Sequence, residues 1–352
     1  MLSIVLTGGG TAGHVIPCLT LLPELSKKFS TISYIGSNDG PEKDLAKKHG
    51  LPFYGITCTK LRRKLTAKNL LIPVKLQKGI AESKKILKKL NPDVVFSKGG
   101  YVALPVVIAC KNLKIPVISH ESDLTAGLAN KIASKYSALT LTSFRETAKQ
   151  FKNGLYTGSP IKKRTGYYDK ALIKKEWGFS TKPVLLAFGG SLGSVALNNA
   201  LTATLDDLLK DYDVLHLTGK KNFNNPPPKR GYKALAYLDD MQKAYAICDV
   251  VVSRCGANSA FEVLSLGKPC VFIPLPKAES RGDQIENAEY FFKQGYALML
   301  KEETLTPQSL KFTIDCAYKN RRTDKPLIAD GTEEIVKILF STATSRNKMK
   351  SL

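Results

Sequence analysis

The chain has 352 residues, more than one hydrophobic core usually serves, so two compact domains are expected. Apolar residues make up 43% and charged residues 24%, which excludes disordered and fibrous classes, and no run approaches the roughly 20 apolar residues of a spanning helix. With 53 Lys plus Arg against 30 Asp plus Glu the formal net charge is +23, a balance that calls for a partner of opposite sign such as an anionic lipid, a phosphorylated substrate or nucleic acid.

The first residues run straight into glycines without a basic segment or a small-residue cleavage site, so no signal peptide is read and a cytoplasmic location is expected. Short apolar, β-branched runs follow at 2–6, 31–35, 93–97 and 117–119, then at 184–188, 213–217, 249–252 and 270–274. Segments of helical pattern at 75–89, 197–209 and 258–266 alternate with them. This is the signature of βαβ units with parallel sheets covered on both faces, so the class is α/β. A strand ending in a glycine-rich turn that opens a helix occurs twice, at Gly8-Gly9-Gly10-Thr11-Ala12-Gly13-His14 and at Gly189-Gly190-Ser191-Leu192-Gly193-Ser194. The repetition predicts two Rossmann-like domains, 1–160 and 161–332, with a boundary near Gly158-Ser159-Pro160. Residues 333–341 read as a last apolar helix with a frayed polar tail, the 333–352 segment packing back on the first domain. The seven cysteines are scattered and form no CxxC pair, so they read as reduced core residues.

Glycine turns between strand and helix let backbone approach a ligand, and the helix N-terminus attracts anions. Neither turn is a GxGxxG followed by an acidic residue about 20 positions on, which speaks against a dinucleotide dehydrogenase. A third glycine pair, Gly99-Gly100-Tyr101, follows the 93–97 strand. His14 falls near a helix N-terminus, where a neutral imidazole serves as a base; a capping or phosphate-contacting role is the alternative. Residues 253–287 concentrate polar groups at one strand-end edge. There the amides around Arg254, Gly256, Ala257, Asn258 and Ser259 suit a diphosphate, Glu262 suits ribose hydroxyls, and Asp283, Gln284 and Asn287 suit a sugar. Between 61 and 89, Arg62, Arg63, Lys64, Lys68, Lys75 and Lys78 rim an apolar loop at 70–74. Leu65, Leu70, Leu71, Ile72 and Val74 are the residues expected to dock on an anionic bilayer, against the plainer reading of a charged helix face beside core residues. No helix-turn-helix, zinc-finger or RNP pattern is present, and nucleic acid is not an expected partner.

Taken in order, several motifs resemble one family. They are Gly9-Gly10-Thr11-Ala12-Gly13-His14, Gly99-Gly100-Tyr101-Val102, His120-Glu121 with Gly127-Leu128-Ala129-Asn130, Gly189-Gly190-Ser191-Leu192-Gly193, Asp239-Asp240-Met241, Ser253-Arg254-Cys255-Gly256-Ala257 with Glu262, and Gln284 with Asn287. Across essentially the whole chain the sequence is similar to the MurG family of GT-B glycosyltransferases, in glycosyltransferase family 28. The resemblance implies two Rossmann-like domains facing across a cleft and inverting transfer of N-acetylglucosamine (GlcNAc) from UDP-GlcNAc to lipid I. Lipid I is an undecaprenyl-diphosphate-linked muramyl peptide, and the product is lipid II, used in peptidoglycan synthesis.

The resemblance also assigns residues. Uracil would meet the Leu238 backbone beside Tyr237 and Met241, and Glu262 the ribose. The donor diphosphate would lie among Ser191, Arg254, Ala257, Asn258 and Ser259, and the sugar at Gln284 and Asp283, with Thr11, Ala12 and Gly13 also on the donor. Gly10, Gly99, Gly100, Tyr101, Asp123 and Lys162 would hold the acceptor, whose diphosphate lies near the 10–14 and 99–101 loops. Ala12 stands where the family commonly has glycine, Asp123 where some relatives have asparagine, Asp283 for a common glutamine, and Lys162 where some have arginine, without its bidentate fork.

His14 is the expected base, with Glu121 as its rival. No bound metal or cofactor is expected, since no DxD pair is placed for one. The expected location is the cytoplasmic face of the membrane, peripherally, in company with other cell-wall synthesis or division proteins. The competing readings are a UDP-GlcNAc 2-epimerase or another lipid glycosyltransferase of the same fold, and a basic nucleic-acid-binding module that ignores UDP.

Overall fold

A computed structural model describes residues 1–59, 72–162, 167–190, 193–320, 328 and 330–350. The chain divides into two compact units, the first formed by Met1–Lys162 with Asp330–Leu352 and the second by Lys163–Ala329. The first unit contains β1 (Ser3–Thr7), β2 (Thr31–Ser37), β3 (Phe53–Ile56), β4 (Val94–Ser97), β5 (Val117–Glu121), β6 (Leu139–Thr142) and β7 (Gly154–Tyr156). They form one sheet in the order β3-β2-β1-β4-β5-β6-β7, every pair parallel.

The central strands read as unbroken apolar runs because both faces of the sheet are covered. Along β1, Ile4 and Leu6 enter a core with the Ala12–Thr20 helix and the last helix, while Val5 enters a second core beneath the Ile72–Leu90 and Ala103–Asn112 helices. The second unit repeats the plan with β8 (Val184–Phe188), β9 (Asp213–Leu217), β10 (Tyr232–Leu235), β11 (Val250–Ser253), β12 (Cys270–Phe272) and β13 (Leu298–Met299), ordered β10-β9-β8-β11-β12-β13 and again parallel.

In each sheet the strand order reverses once, between β1 and β4 and between β8 and β11. A doubly wound sheet opens a crevice at the carboxyl ends of the strands flanking such a reversal, and that is where its ligands bind. The glycine turns after β1 and β4 border one switch point; the turn after β8 and the 254–256 loop after β11 border the other.

Three sequence expectations need correction. The single helix read at 197–209 is two, Val195–Ala203 and Leu205–Asp211, broken at Thr204, which leaves the helical region at φ −106°, ψ 8°. Ile72 and Val74 are not in a loop but in the first turn of the Ile72–Leu90 helix; Leu65, Leu70 and Leu71 lie outside the described residues. The polar tail is not frayed: the last helix runs Thr332–Lys350. Ile335, Val336, Leu339 and Ala343 enter the first unit's core. Arg346 donates to the Lys114 carbonyl (3.1 Å), and Lys350 Nζ to Asp93 Oδ1 (2.7 Å) and the Asn91 carbonyl (2.9 Å). Among the described residues no helix is long and apolar enough to cross a membrane.

Candidate active site

In the first unit the chain leaves β1 through Gly8–Gly10 and enters the Ala12–Thr20 helix, whose N-cap, Thr11, makes no side-chain capping bond. Such a helix end favours an anion. Gly10 has φ +84°, and the Tyr101 ring packs on the space a side chain would fill. Gly100, at φ +78°, faces the same turn: a methyl there would lie 2.6 Å from the Gly9 carbonyl oxygen and 3.0 Å from His14 Cδ2. The two glycine turns thus close on each other with the half-buried His14 imidazole at their seam, and Gly10, His14, Gly100 and Tyr101 form one cluster. Gly99 packs on the Asn130 amide at its edge. Thr11 and Gly13 are exposed and Ala12 half-buried on the same helix end.

Glu121, at the end of β5, has a different office. Its carboxylate accepts from the backbone N–H of Ser122 (2.8 Å), Asp123 (3.0 Å) and Gly127 (3.0 Å) and from Asn130 Nδ2 (2.9 Å). Four donors fill the acceptor capacity of a carboxylate, so this buried group organises the 122–127 loop. Asp123 is half-buried in that loop, its carbonyl accepting from Thr147 Oγ1 at 3.2 Å. Lys162 is exposed and makes no hydrogen bond or ion pair among the described residues.

In the second unit, Ser191 lies outside the described residues. Gly189, Gly190 and Gly193 precede the Val195–Ala203 helix, capped by Ser194 Oγ accepting from Leu197 N–H at 3.2 Å. The more open end is that of the Ala257–Ser265 helix after β11: its N-cap is Gly256, without side-chain capping, followed by buried Ala257 and half-buried Asn258 and Ser259. Glu262, one turn further, accepts from the Tyr245 hydroxyl at 3.2 Å.

Gln284 accepts from Leu275 N–H (3.1 Å) while its Nε2 lies 3.8 Å from where a Gly256 side chain would begin. Asn287, fully buried, donates to the Cys255 carbonyl at 3.4 Å and braces the same loop from below. Asp283 pairs with Arg281 (3.3 Å). Arg254 is engaged inward: Nη1 donates to the carbonyls of Ile273 (3.2 Å) and Pro274 (3.1 Å), and Nη2 pairs with Glu302. Its charge is spent on joining the loop to the end of β12. Tyr237 is exposed under Lys220, whose Nζ lies 4.9 Å from the ring centre, and Leu238 and Met241 follow at the entry to the Met241–Ile247 helix.

Residues 4–142 match the glycosyltransferase family 28 N-terminal domain and residues 184–338 match the family's C-terminal domain. The chain belongs to glycosyltransferase family 28. It is 42% identical to the UDP-N-acetylglucosamine–N-acetylmuramyl-(pentapeptide) pyrophosphoryl-undecaprenol N-acetylglucosamine transferase of Clostridium tetani (strain Massachusetts / E88), over 98% of this chain and 99% of that protein. It is 47% identical to the protein of the same name from Clostridium botulinum (strain Alaska E43 / Type E3), over 87% of each. The crystal structure of Acinetobacter baumannii MurG superposes with a TM-score of 0.70 at 26% identity, covering 97% of this chain and all 100% of that one. The two parallel α/β units are therefore those of a GT-B glycosyltransferase.

Two side chains of this family 28 enzyme that sequence reasoning passed over stand against its glycine turns. Lys98 follows β4 directly, is 2% exposed, and donates to Ser122 Oγ. Burial pushes its pKa down, while the Glu121 and Asp123 carboxylates pull it back up. The only sequence signal was a lysine wedged between an apolar strand and a glycine pair. Glu42 is fully buried and accepts from Gly10 N–H at 3.2 Å; in a stretch crowded with charges nothing set it apart.

Behind the second unit's glycine turn, His216 bridges Asn198 Oδ1 and Tyr232 Oη, each at 3.0 Å, and Asn198 Nδ2 donates to the Thr218 carbonyl (2.9 Å), on which Gly193 packs. Burial lowers the His216 pKa from 6.5 to about 4, so the ring is neutral in the fold and charges more readily when unfolded. Between those values the unfolded chain holds the extra proton, so this contribution is complete above pH 6.5 and is lost as pH falls towards 4, by about 3 kcal/mol in all. Urea unfolding at pH 7.5 and 4.5 is expected to show a shallower loss in His216→Gln than in the parent. Equal slopes would remove His216 from the acid response.

Proposed function

We propose that this glycosyltransferase moves GlcNAc from UDP-GlcNAc to the C4 hydroxyl of the muramyl sugar of lipid I, giving lipid II and UDP, in peptidoglycan synthesis. The observation that carries the reading is the 42% identity over 98% of the chain to a relative named for that transfer. The chain's own chemistry agrees with it: each switch point offers an uncapped helix end suited to a diphosphate, and the first has an imidazole beside it.

In this reading the acceptor hydroxyl attacks the anomeric carbon of the α-linked donor. The new C–O bond forms as the bond to the UDP oxygen breaks, the configuration inverts once, and the electron pair leaves with UDP. His14 takes the hydroxyl proton. Glu121 is the weaker candidate, because accepting a proton would cost it one of the four bonds that hold its loop. Charge growing on the leaving diphosphate is met by the Ala257–Ser259 amides and the helix dipole, with Ser191 alongside. Arg254 contributes by fixing the loop from behind. Glu262 takes the ribose hydroxyls, Gln284 and Asp283 the sugar, and Tyr237, Leu238 and Met241 the uracil, and Thr11, Ala12 and Gly13 also bind the donor. Gly10, Gly99, Gly100, Tyr101, Asp123 and Lys162 hold the acceptor.

Membrane docking at the cytoplasmic face belongs to the same proposal. It is supported by Val74, 65% exposed at the start of a helix that carries exposed Lys75 and Lys78. The test is incubation with labelled UDP-GlcNAc and a lipid I analogue in anionic vesicles, followed by flotation. Label in the extracted lipid, UDP release and protein in the floated fraction are expected. Folded protein that transfers nothing would sink the transferase reading; protein left in the dense fraction would sink the docking.

A further inference from the structure

Glu42 opens the Glu42–Lys48 helix, yet its carboxylate turns inward and is fully buried. Oε1 accepts from Ser37 N–H (2.8 Å) and Ser37 Oγ (2.6 Å), and Oε2 from Gly10 N–H (3.2 Å). Three chain segments are bare where they meet it: a methyl on Gly9 would fall 2.6 Å from Cδ, one on Gly36 2.5 Å from Cγ, and one on Gly40 would collide with Oε1. Among the described residues no cation pairs with it. Its charge reaches Tyr101, whose pKa is raised first by burial and then by Glu42.

A buried carboxylate without a cation is expensive, and a neutral side chain could serve Ser37. What the carboxylate adds is an acceptor on both oxygens, so that one group holds Ser37 and the glycine turn together. Two consequences follow. Gly10 is fixed at φ +84°, and its N–H is already taken, so an anion on this turn finds neither that amide nor a favourable field on the Glu42 side. The helix end beside His14 is what remains.

We infer that Glu42 is a positioning residue of the acceptor site, a buried peg that sets the glycine turn and confines the acceptor's diphosphate to the His14 side of it. This rests on the transferase reading above. Misplacement of a reacting group by about 1 Å can cost on the order of 100-fold in rate, so the effect belongs in kcat with the lipid acceptor.

Glu42→Gln keeps the shape and an acceptor for Ser37 but sets an amide N–H against Gly10 N–H. It is expected to lower kcat with the lipid I analogue about 10- to 100-fold and to hold KM for UDP-GlcNAc within about 2-fold. Amide hydrogen exchange over residues 8–14 should quicken. Glu42→Asp keeps the charge but is too short to reach Ser37 and Gly10 together, so it should fail in the same way. Ser37→Ala, which removes one bond to Glu42 and spares Gly10, is expected to melt lower yet transfer within about 2-fold of the parent.

Normal transfer by either Glu42 variant, equal loss in Ser37→Ala, or unaltered exchange over 8–14 would overturn the inference. A parent protein that makes no lipid product overturns the transferase reading instead, and faster exchange in Glu42→Gln then still supports the peg.

Discussion

Replacing His14 by alanine is expected to lower kcat for lipid transfer by about 100- to 10,000-fold, the usual worth of a positioned general base. The imidazole is the third residue of the Ala12–Thr20 helix, half-buried, with its Cδ2 edge against Gly100. A ring so placed is pre-oriented, and fixed orientation is what a base contributes beyond its basicity. Alanine keeps the helix, since it is the strongest helix former, and nothing in the second unit is altered. The measurement is steady-state kinetics with calorimetric UDP binding alongside: kcat should collapse while UDP affinity stands. Turnover near the parent value would end the candidacy of His14 and return the question to Glu121.

The second large effect is expected in KM. Glu262→Ala removes a carboxylate from the second turn of the Ala257–Ser265 helix, where the buried Tyr245 hydroxyl donates to Oε2 at 3.2 Å and fixes its reach. Hydrogen bonds to a charged group are worth about 1.5–3 kcal/mol, so KM for UDP-GlcNAc should rise roughly 10- to 100-fold with a smaller change in kcat. Tyr245→Phe should move KM in the same direction by less, since the carboxylate survives and loses only its support. An unaltered KM in Glu262→Ala would take the residue away from the ribose.

How far the sequence went is seen in particular elements. The 184–188 and 213–217 runs coincide with β8 and β9: β8 is apolar throughout because both its faces are buried, and β9 keeps Val214, Leu215 and Leu217 around His216. The strands β3, β6, β7, β10 and β13 escaped notice: they are two to four residues long, and β10 carries Lys233 at a sheet edge. Thr204 broke a pattern that periodicity alone read as continuous. In the site, glycine turns were legible because a turn needing positive φ leaves a residue type as its mark. Arg254 was legible as a residue but not as a contact, since only the fold shows its guanidinium facing Ile273, Pro274 and Glu302. Glu42 and Lys98 were invisible for a related reason: a buried charge and a solvated one are spelled alike.

The return of the chain to the first unit at Asp330 makes the second unit an insertion within it. On the ribosome, therefore, the order of completion reverses the order of synthesis. Residues 163–329 can close their own core while the first unit still lacks Ile335, Val336, Leu339 and Ala343, its final apolar wedge. Until those side chains emerge, the face of β1 and β4 that carries Leu6 and Phe96 is covered only in part, by the Ala12–Thr20 helix and the residues after it, so the glycine turns and His14 gain their finished support only once residues 335–343 have been made.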